Sequence, residues 1–381
     1  MALLDNNEKQ TANKSDKVVL GIIVVLILVL VSIIGLMVFI LNIEETEIKQ
    51  SIVFDGVQND TLLNNVIVQN QIKYIPIKEI AKAAGYDAYS GDYIYVSEDV
   101  KKCHVIIKNE QVVQFEANSN EASKIKFDEN IAYAKLTLNQ PIIAQNNELY
   151  ISIEDVQNAL YIYTENIYTN NMQMYSLDNL YNLYNNYTVS LGYKGITNSF
   201  ANKIAILNDI LVFKNNKDKF GAINTAAEII IEPKYDDIQY VQETKDFIVT
   251  YNGLKGIISN KQTKLNVSYD EIEYINYANL YAVTSNKKIG FFDTNGNKII
   301  DFQYDDIGSK TQVKNAKSVQ YVTTKGLLVV KSNGKYGLIN LEGTPIVGFE
   351  LEDVYSSIYN GKLEYYVVVN GNTLNLNTIV Q

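Results

Sequence analysis

Hydrophobic and polar positions change period three times along this 381-residue chain. The first stretch has no period at all. Val18–Leu41 (VVLGIIVVLILVLVSIIGLMVFIL) runs 24 residues without a charge, and Ser32 is its one polar side chain. A helix of that length spans about 36 Å, against about 30 Å for a bilayer core, which predicts a tilted single-pass transmembrane helix. A secretory leader has a shorter apolar core and a small-residue cleavage site. Here Asn42, Ile43, Glu44 and Glu45 follow, so an uncleaved anchor is expected. Lys9, Lys14 and Lys17 precede the segment, and Glu44, Glu45 and Glu47 follow it. Lysine bias then places residues 1–17 in the cytoplasm, as a short disordered tail, and residues 45–381 outside.

From 50 to 165 short strand patterns alternate with helical ones, and the pattern occurs twice at an offset of 76 residues. Gln69-Asn70-Gln71-Ile72-Lys73-Tyr74-Ile75-Pro76-Ile77-Lys78-Glu79-Ile80 matches Gln145-Asn146-Asn147-Glu148-Leu149-Tyr150-Ile151-Ser152-Ile153-Glu154-Asp155-Val156. Each reads as a turn, a strand and an amphipathic helix, opened by Pro76 in one copy and by a capping Ser152 in the other. Gly85 stops the first helix. Runs such as Tyr93–Val96 and Val105–Ile107 predict flanking strands. Leu177, Leu180, Leu183 and Tyr184 fall at helical spacing, which predicts a linker helix within 166–186.

From 187 to 381 the period drops to two, and strand runs are punctuated by turn pairs. Phe247–Tyr251 and Leu327–Val330 are strands, and Asn252-Gly253 and Asn333-Gly334 are hairpin turns. A larger unit repeats above this. Gly221, Gly256, Gly290 and Gly337 are 35, 34 and 47 residues apart. Each is followed 14, 13, 14 and 14 residues later by Tyr235, Tyr269, Tyr304 or Leu351, and then by an acidic pair. The longer interval is taken up in Gly308–Gln320. A shorter copy around Gly195 precedes these units, and Tyr365–Asn375 ends the array without the glycine. One unit of this size cannot bury its own apolar face, so neighbours must stack.

Two resemblances follow from these segments. Asn70 to Gly85 resembles the paired "NGRxYVPLRxIAEALG" segment of the copper amine oxidase N-terminal-like, or stalk, domain of bacterial surface proteins, over roughly 50–165. That resemblance implies a duplicated α+β spacer and no copper. The chain departs from it in having no Arg, no Gly after Asn70 and no Pro in the second copy. Gly290-Phe291-Phe292-Asp293-Thr294-Asn295-Gly296-Asn297-Lys298-Ile299-Ile300-Asp301-Phe302-Gln303-Tyr304-Asp305-Asp306-Ile307 resembles the WG-repeat pattern. Glu232-Pro233-Lys234-Tyr235-Asp236-Asp237-Ile238 gives its proline form. The signature Trp is replaced by Phe220, Lys255, Ile289 and Tyr336. The resemblance implies a β-repeat array, propeller-like or solenoidal, over about 187–376, and no shared activity.

Composition narrows the chemistry. There are 33 basic residues, all Lys, against 43 acidic ones, a net charge of −10. That disfavours nucleic acid and polyanionic wall polymers. An Arg-free chain rich in Asn, Ile, Lys and Tyr fits an AT-rich bacterial genome. One His and one Cys leave little for a metal centre, a triad or a disulfide. Cys103 and His104 are neighbours on one strand pattern and face opposite ways, so a packed Cys and a satisfied or exposed His are expected. The pairs Asp236/Asp237, Asp270/Glu271, Asp305/Asp306 and Glu352/Asp353 recur in every unit, whereas a catalytic site is unique. Turn chemistry is the reading of these pairs, with Ca²⁺ binding the alternative. The 29 tyrosines are either half-buried strand formers or a carbohydrate- or protein-binding face.

The expectation is therefore a non-catalytic, membrane-anchored extracellular protein with no cofactor. Residues 1–17 would be a tail and 18–41 the anchor. A stalk-like domain would cover 50–165, a linker helix 166–186 and a WG-type array 187–381. The array would bind wall polymer or a protein partner. A sensor or assembly subunit, and a carboxylate-dependent envelope glycan hydrolase, are the alternatives.

Overall fold

Alternating apolar residues joined by Asn-initiated turns fold as hairpins, because both turn positions accept positive φ. Asn70-Gln71 (52° and 67°), Asn252-Gly253 (51° and 79°) and Asn333-Gly334 (49° and 79°) all do so. The computed structural model describes residues 50–93, 101–313, 319–359 and 362–380. The tail, the Val18–Leu41 segment and its flanking charges lie outside those residues, as do all but Tyr93 of the Tyr93–Val96 run and the middle of Gly308–Gln320. Among the described residues no helix is long and apolar enough to cross a membrane. Ser51–Gln381 forms one compact, predominantly β unit.

The chain opens with β1 (Ser51–Phe54), β2 (Val57–Gln58), α1 (Asp60–Asn64), β3 (Ile67–Gln69), β4 (Ile72–Pro76) and α2 (Ile77–Ala83). A meander follows: β5 (Asp87–Ser90), β6 (Lys102–Ile107), β7 (Gln111–Glu116), β8 (Glu121–Lys126) and β9 (Ala132–Thr137). Then come β10 (Ile143–Gln145), β11 (Glu148–Ser152), α3 (Ile153–Leu160), β12 (Tyr163–Glu165), β13 (Asn171–Tyr175) and α4 (Leu177–Ser190). The 76-residue offset becomes a local two-fold. β3 and β4 displaced by 76 are β10 and β11, and the four form one sheet in the order β10-β11-β4-β3. Ile75 and Ile151, equivalent residues, pair with each other at its centre. The two helices open differently. The Ser152 hydroxyl accepts the N–H of Glu154, while Pro76 makes no side-chain cap. β13 pairs in parallel with β1, which ties the start of this region to its end.

Five four-stranded sheets follow, here R1 to R5. R1 is β14 (Gly195–Ile196), β15 (Leu211–Lys214), β16 (Phe220–Ile223) and β17 (Ile229–Tyr235), with α5 (Phe200–Ala205) between its first two strands. R2 is β18 (Asp237–Val241), β19 (Asp246–Tyr251), β20 (Leu254–Ser259) and β21 (Gln262–Tyr269). R3 is β22 (Glu271–Ile275), β23 (Leu280–Ser285), β24 (Lys288–Asp293) and β25 (Lys298–Tyr304). R4 combines β26 (Asp306–Ile307) with β28 (Leu328–Ser332), β29 (Lys335–Ile339) and β30 (Pro345–Leu351). R5 takes β27 (Lys310–Thr311), β31 (Asp353–Tyr359), β32 (Lys362–Val369) and β33 (Asn372–Asn375), followed by α6 (Leu376–Ile379). The longer interval before Gly337 is thus put to use. Its start leaves R4 and adds β27 to R5, parallel to β31.

Consecutive sheets share apolar cores: R1 with R2, R2 with R3, R3 with R4 and R4 with R5. The core of the first region runs on into R1 through Ile204, Leu211 and Phe213. Tyr235, Tyr304 and Leu351 close their units as buried plugs between neighbouring sheets, and Tyr269 does so half-buried.

The repeat glycines have one physical cause. Gly221, Gly256, Gly290 and Gly337 each lie in the third strand of a sheet, at a shift of register against the fourth. A Cβ there would come within 2.8 Å of Ile231 O, Leu265 O or Ile300 O at the first three, and 2.9 Å from the Phe349 ring at the fourth. Close approach, not positive φ, selects glycine. Gly195 is not their equivalent. It lies in the first strand of R1 with φ +118°, against the Asn185 side chain.

Candidate functional site

The recurring acidic pairs act between sheets. Asp236 lies where β17 passes into β18. It takes an ion pair from Lys219 of R1 and accepts the N–H of Asn252, in the R2 hairpin, at 2.6 Å. Asp305 repeats this with Lys288 of R3 and the N–H of Asn333 in R4 at 2.7 Å. Glu352 repeats it with Lys335 at 3.9 Å and the N–H of Gly371 at 3.1 Å. In the remaining unit Lys255 pairs with Glu271 instead of Asp270. The second acids, Asp306 and Asp353, each accept the N–H of the following residue. Asp237 pairs through its backbone with Thr250. Among the described residues no cluster of three or more His, Cys, Asp or Glu is arranged to hold a metal ion.

The Lys219 and Lys288 ion pairs, and then the hairpin N–H groups, hold the Asp236 and Asp305 carboxyls below the ordinary carboxylate range. An unfolded chain takes up protons there before the native one does as the pH falls. This contribution to stability is complete above about pH 4 and drains away as the pH falls through the lower native values. We expect the urea midpoint to decline in acid, and D236N/D305N to flatten that decline. An unchanged acid slope in the double variant would contradict the assignment.

Cys103 and His104 are both buried in β6. Burial pushes the Cys103 thiol up to about 12, which leaves it unreactive. His104 Nδ1 meets the Gly91 carbonyl at 3.1 Å, and its ring packs between Tyr89 and Tyr93. The ring is therefore satisfied and covered.

A cavity of about 340 Å³ lies elsewhere, between the meander and the first strands of R2 and R3, β18 and β22. The meander supplies Gln111, Lys124, Lys126 and Tyr133. R2 supplies Tyr240 and Glu243, R3 supplies Glu273, Tyr274 and Tyr277, and the R4 excursion supplies Tyr321. Tyr161 and Phe200, in edge-to-face contact at 5.6 Å, also line it. Lys124 is 4% exposed, sits 5.7 Å over the Tyr161 ring and pairs with Glu243 at 3.6 Å. Glu273 accepts the Tyr321 hydroxyl at 2.7 Å. Tyr277 donates to the Ala132 carbonyl at 3.3 Å and so joins R3 to the meander. Tyr161 ends α3 with φ 55°, an uncommon setting for a bulky residue, and its hydroxyl donates to Gln111 Oε1 at 2.9 Å. Two buried polar atoms of wall residues, Gln111 Nε2 and the Tyr240 hydroxyl, have no hydrogen-bond partner.

Burial, and after it the charge of Glu243, pushes the Tyr240 and Tyr274 phenols up to about 12, and burial does the same to Tyr277. The native state keeps these protons where an unfolded chain would release them near pH 10. Stability from this source is complete below about pH 10 and drains away as the pH rises towards the native values. We expect phenolate absorbance to develop in two phases, the second coincident with loss of near-ultraviolet circular dichroism. A single phase centred on the free-tyrosine value in folded protein would contradict this.

None of these wall residues stands out by local spacing. One signal does exist. Tyr240 and Tyr274 each fall five residues after the unit-closing tyrosine, where the next two units have Ser309 and Ser356. The site is built where the repeats differ from one another.

The family model described as "WG containing repeat" matches residues 220–245 and 289–309. The chain therefore carries WG-type β repeats. No curated protein matches. Among solved structures it is similar to the crystal structure of a eukaryotic initiation factor, at 11% identity and TM-score 0.28, over 45% of this chain and 50% of that one. The chain thus spans about half of that protein. It is also similar to the Dos1 propeller, at 10% identity and TM-score 0.23, over 70% of this chain and 75% of that one. Hsv2 of Kluyvelomyces marxianus is similar at 7% identity and TM-score 0.23, over 75% and 88%. Likenesses of that size carry no argument about function.

Proposed function

We propose that this is a non-catalytic binding protein, tethered to the cell membrane through Val18–Leu41. Its WG-type array would face a cell-wall polymer or an envelope protein, with the stalk-like region 50–165 as spacer. The observation that carries the reading is the tyrosine-walled cleft between the meander and R2/R3. Its carboxylates are committed to Lys124 and Tyr321, an arrangement suited to holding a ligand more than to moving protons. The repeated acids are likewise committed to lysines and hairpin N–H groups.

Retention of the full-length protein, in detergent micelles, on isolated wall sacculi tests this. We expect retention that is indifferent to EDTA. Retention abolished by EDTA would move binding to the acidic pairs. Absence of retention, together with capture of a specific membrane partner through residues 1–45, would replace the reading with that of a sensor or assembly subunit.

A further inference from the structure

We infer that the cleft between the meander and the first strands of R2 and R3 takes the end of an uncharged glycan, one or two sugar residues deep. This rests on the binding-protein reading above and gives it a ligand class. The cavity, about 340 Å³, lies at the small end of ligand sites, which run from about 300 to 1,000 Å³. Its formal charges sum to zero, Lys124 and Lys126 against Glu243 and Glu273: Lys124 pairs with Glu243, Lys126 stands 6.0 Å over the Tyr133 ring, and Glu273 accepts the Tyr321 hydroxyl. An anionic ligand would meet both carboxylates, and a cationic one would meet Lys124 and Lys126. The buried polar atoms of the wall that have no partner are both neutral: the Gln111 amide N–H and the Tyr240 hydroxyl. Native proteins seldom leave such groups without partners. Sugar hydroxyls both donate and accept, so they can serve each of them. The apolar faces of a sugar ring fit the phenol and phenyl rings of Tyr274, Tyr277 and Phe200. An apolar peptide would leave the amide and the phenol as they are. Ser309 and Ser356 stand where R2 and R3 have Tyr240 and Tyr274, so the tyrosine pair that walls the cleft does not recur in R4 and R5.

Isothermal titration of the full-length protein with cellobiose, maltose and N,N′-diacetylchitobiose tests the inference, with glucuronate and a neutral apolar dipeptide as contrasts. We expect saturable binding of at least one uncharged disaccharide. Y240F should weaken it roughly 5–10-fold, the value of one neutral hydrogen bond. The melting temperature should stay or rise in that variant, because it removes a polar atom that has no partner. A201F, which fills the cavity from its α5 wall, should abolish binding. No disaccharide binding, tighter binding of glucuronate or the dipeptide, or unchanged affinity in both variants would overturn the inference. If A201F stays on wall sacculi as the parent does, the glycan pocket falls while the binding-protein reading stands. If the parent itself is not retained, that reading falls separately.

Discussion

Replacing Gly290 with alanine is expected to lower stability by about 2–3 kcal/mol, the upper part of the range for overpacking a well-filled site. The new methyl would stand 2.8 Å from the Ile300 carbonyl and 3.1 Å from the backbone of Asp301 and Phe302. Backbone atoms of a paired strand cannot turn aside as a side chain can. R3 must therefore open the register shift between Ile289 and Phe291, or give up the β24–β25 pairing there. Gly348→Ala is the control. It also lies in a strand, but its nearest neighbours are the far end of the Glu350 side chain, 3.6 Å away, so near-neutral behaviour is expected. Urea denaturation of the two variants separates close approach from a general cost of losing glycine. Equal destabilisation would refute the explanation offered for all four repeat glycines.

Asp246→Ala is expected to cost about 3–5 kcal/mol, because it strips the partner from a mostly buried cation. Asp246 is fully buried at the start of β19. It accepts from Lys264 at 2.8 and 2.6 Å and from the Tyr281 hydroxyl at 2.6 Å, while Lys264 also donates to the Thr294 carbonyl at 2.5 Å. Two of the four groups belong to R2 and two to R3, so the network is a polar rivet through an otherwise apolar joint. Burial and the bond to Asp246 push the Tyr281 phenol well above its usual value. The pair D246L/K264M should recover most of the loss, since a buried ion pair and well-packed apolar residues of similar size are often equivalent in stability. If D246A is as stable as the parent, the network does not join these two sheets.

Much of the architecture could be read from local signals, because those signals have local causes. Asn252-Gly253 marks a turn through its own φ values, and the glycine-to-tyrosine interval measures two strands and the crossing between them. The acidic pairs yielded only half their meaning. Asp236 is informative beside Lys219, 17 residues back, and Asn252, 16 residues on, and those partners lie in two different sheets. The parallel addition of β27 to R5 was hidden for the same reason, since a two-residue strand is defined by the edge it finds. The cleft was the least legible of all. Lys124, Tyr161, Tyr240 and Tyr277 come from a meander strand, a helix end, the first strand of R2 and a 3₁₀ turn, and no spacing links them. Gly195 misled for the opposite reason: the residue type recurs, but its position in the sheet does not.

The pairing of Ile75 with Ile151 has an evolutionary and kinetic consequence. A protein holding one copy of this strand–helix unit would leave β4 as an open edge. It could complete the sheet only by finding a second molecule, as a two-fold homodimer whose stability depends on concentration. Carrying both copies in one polypeptide turns that encounter into an intramolecular closure, with the partner strand always at high effective concentration. For a protein present at few copies per cell, the sheet is then complete in every molecule. The loss of strict symmetry also frees each copy to diverge, as Pro76 and Ser152 already have.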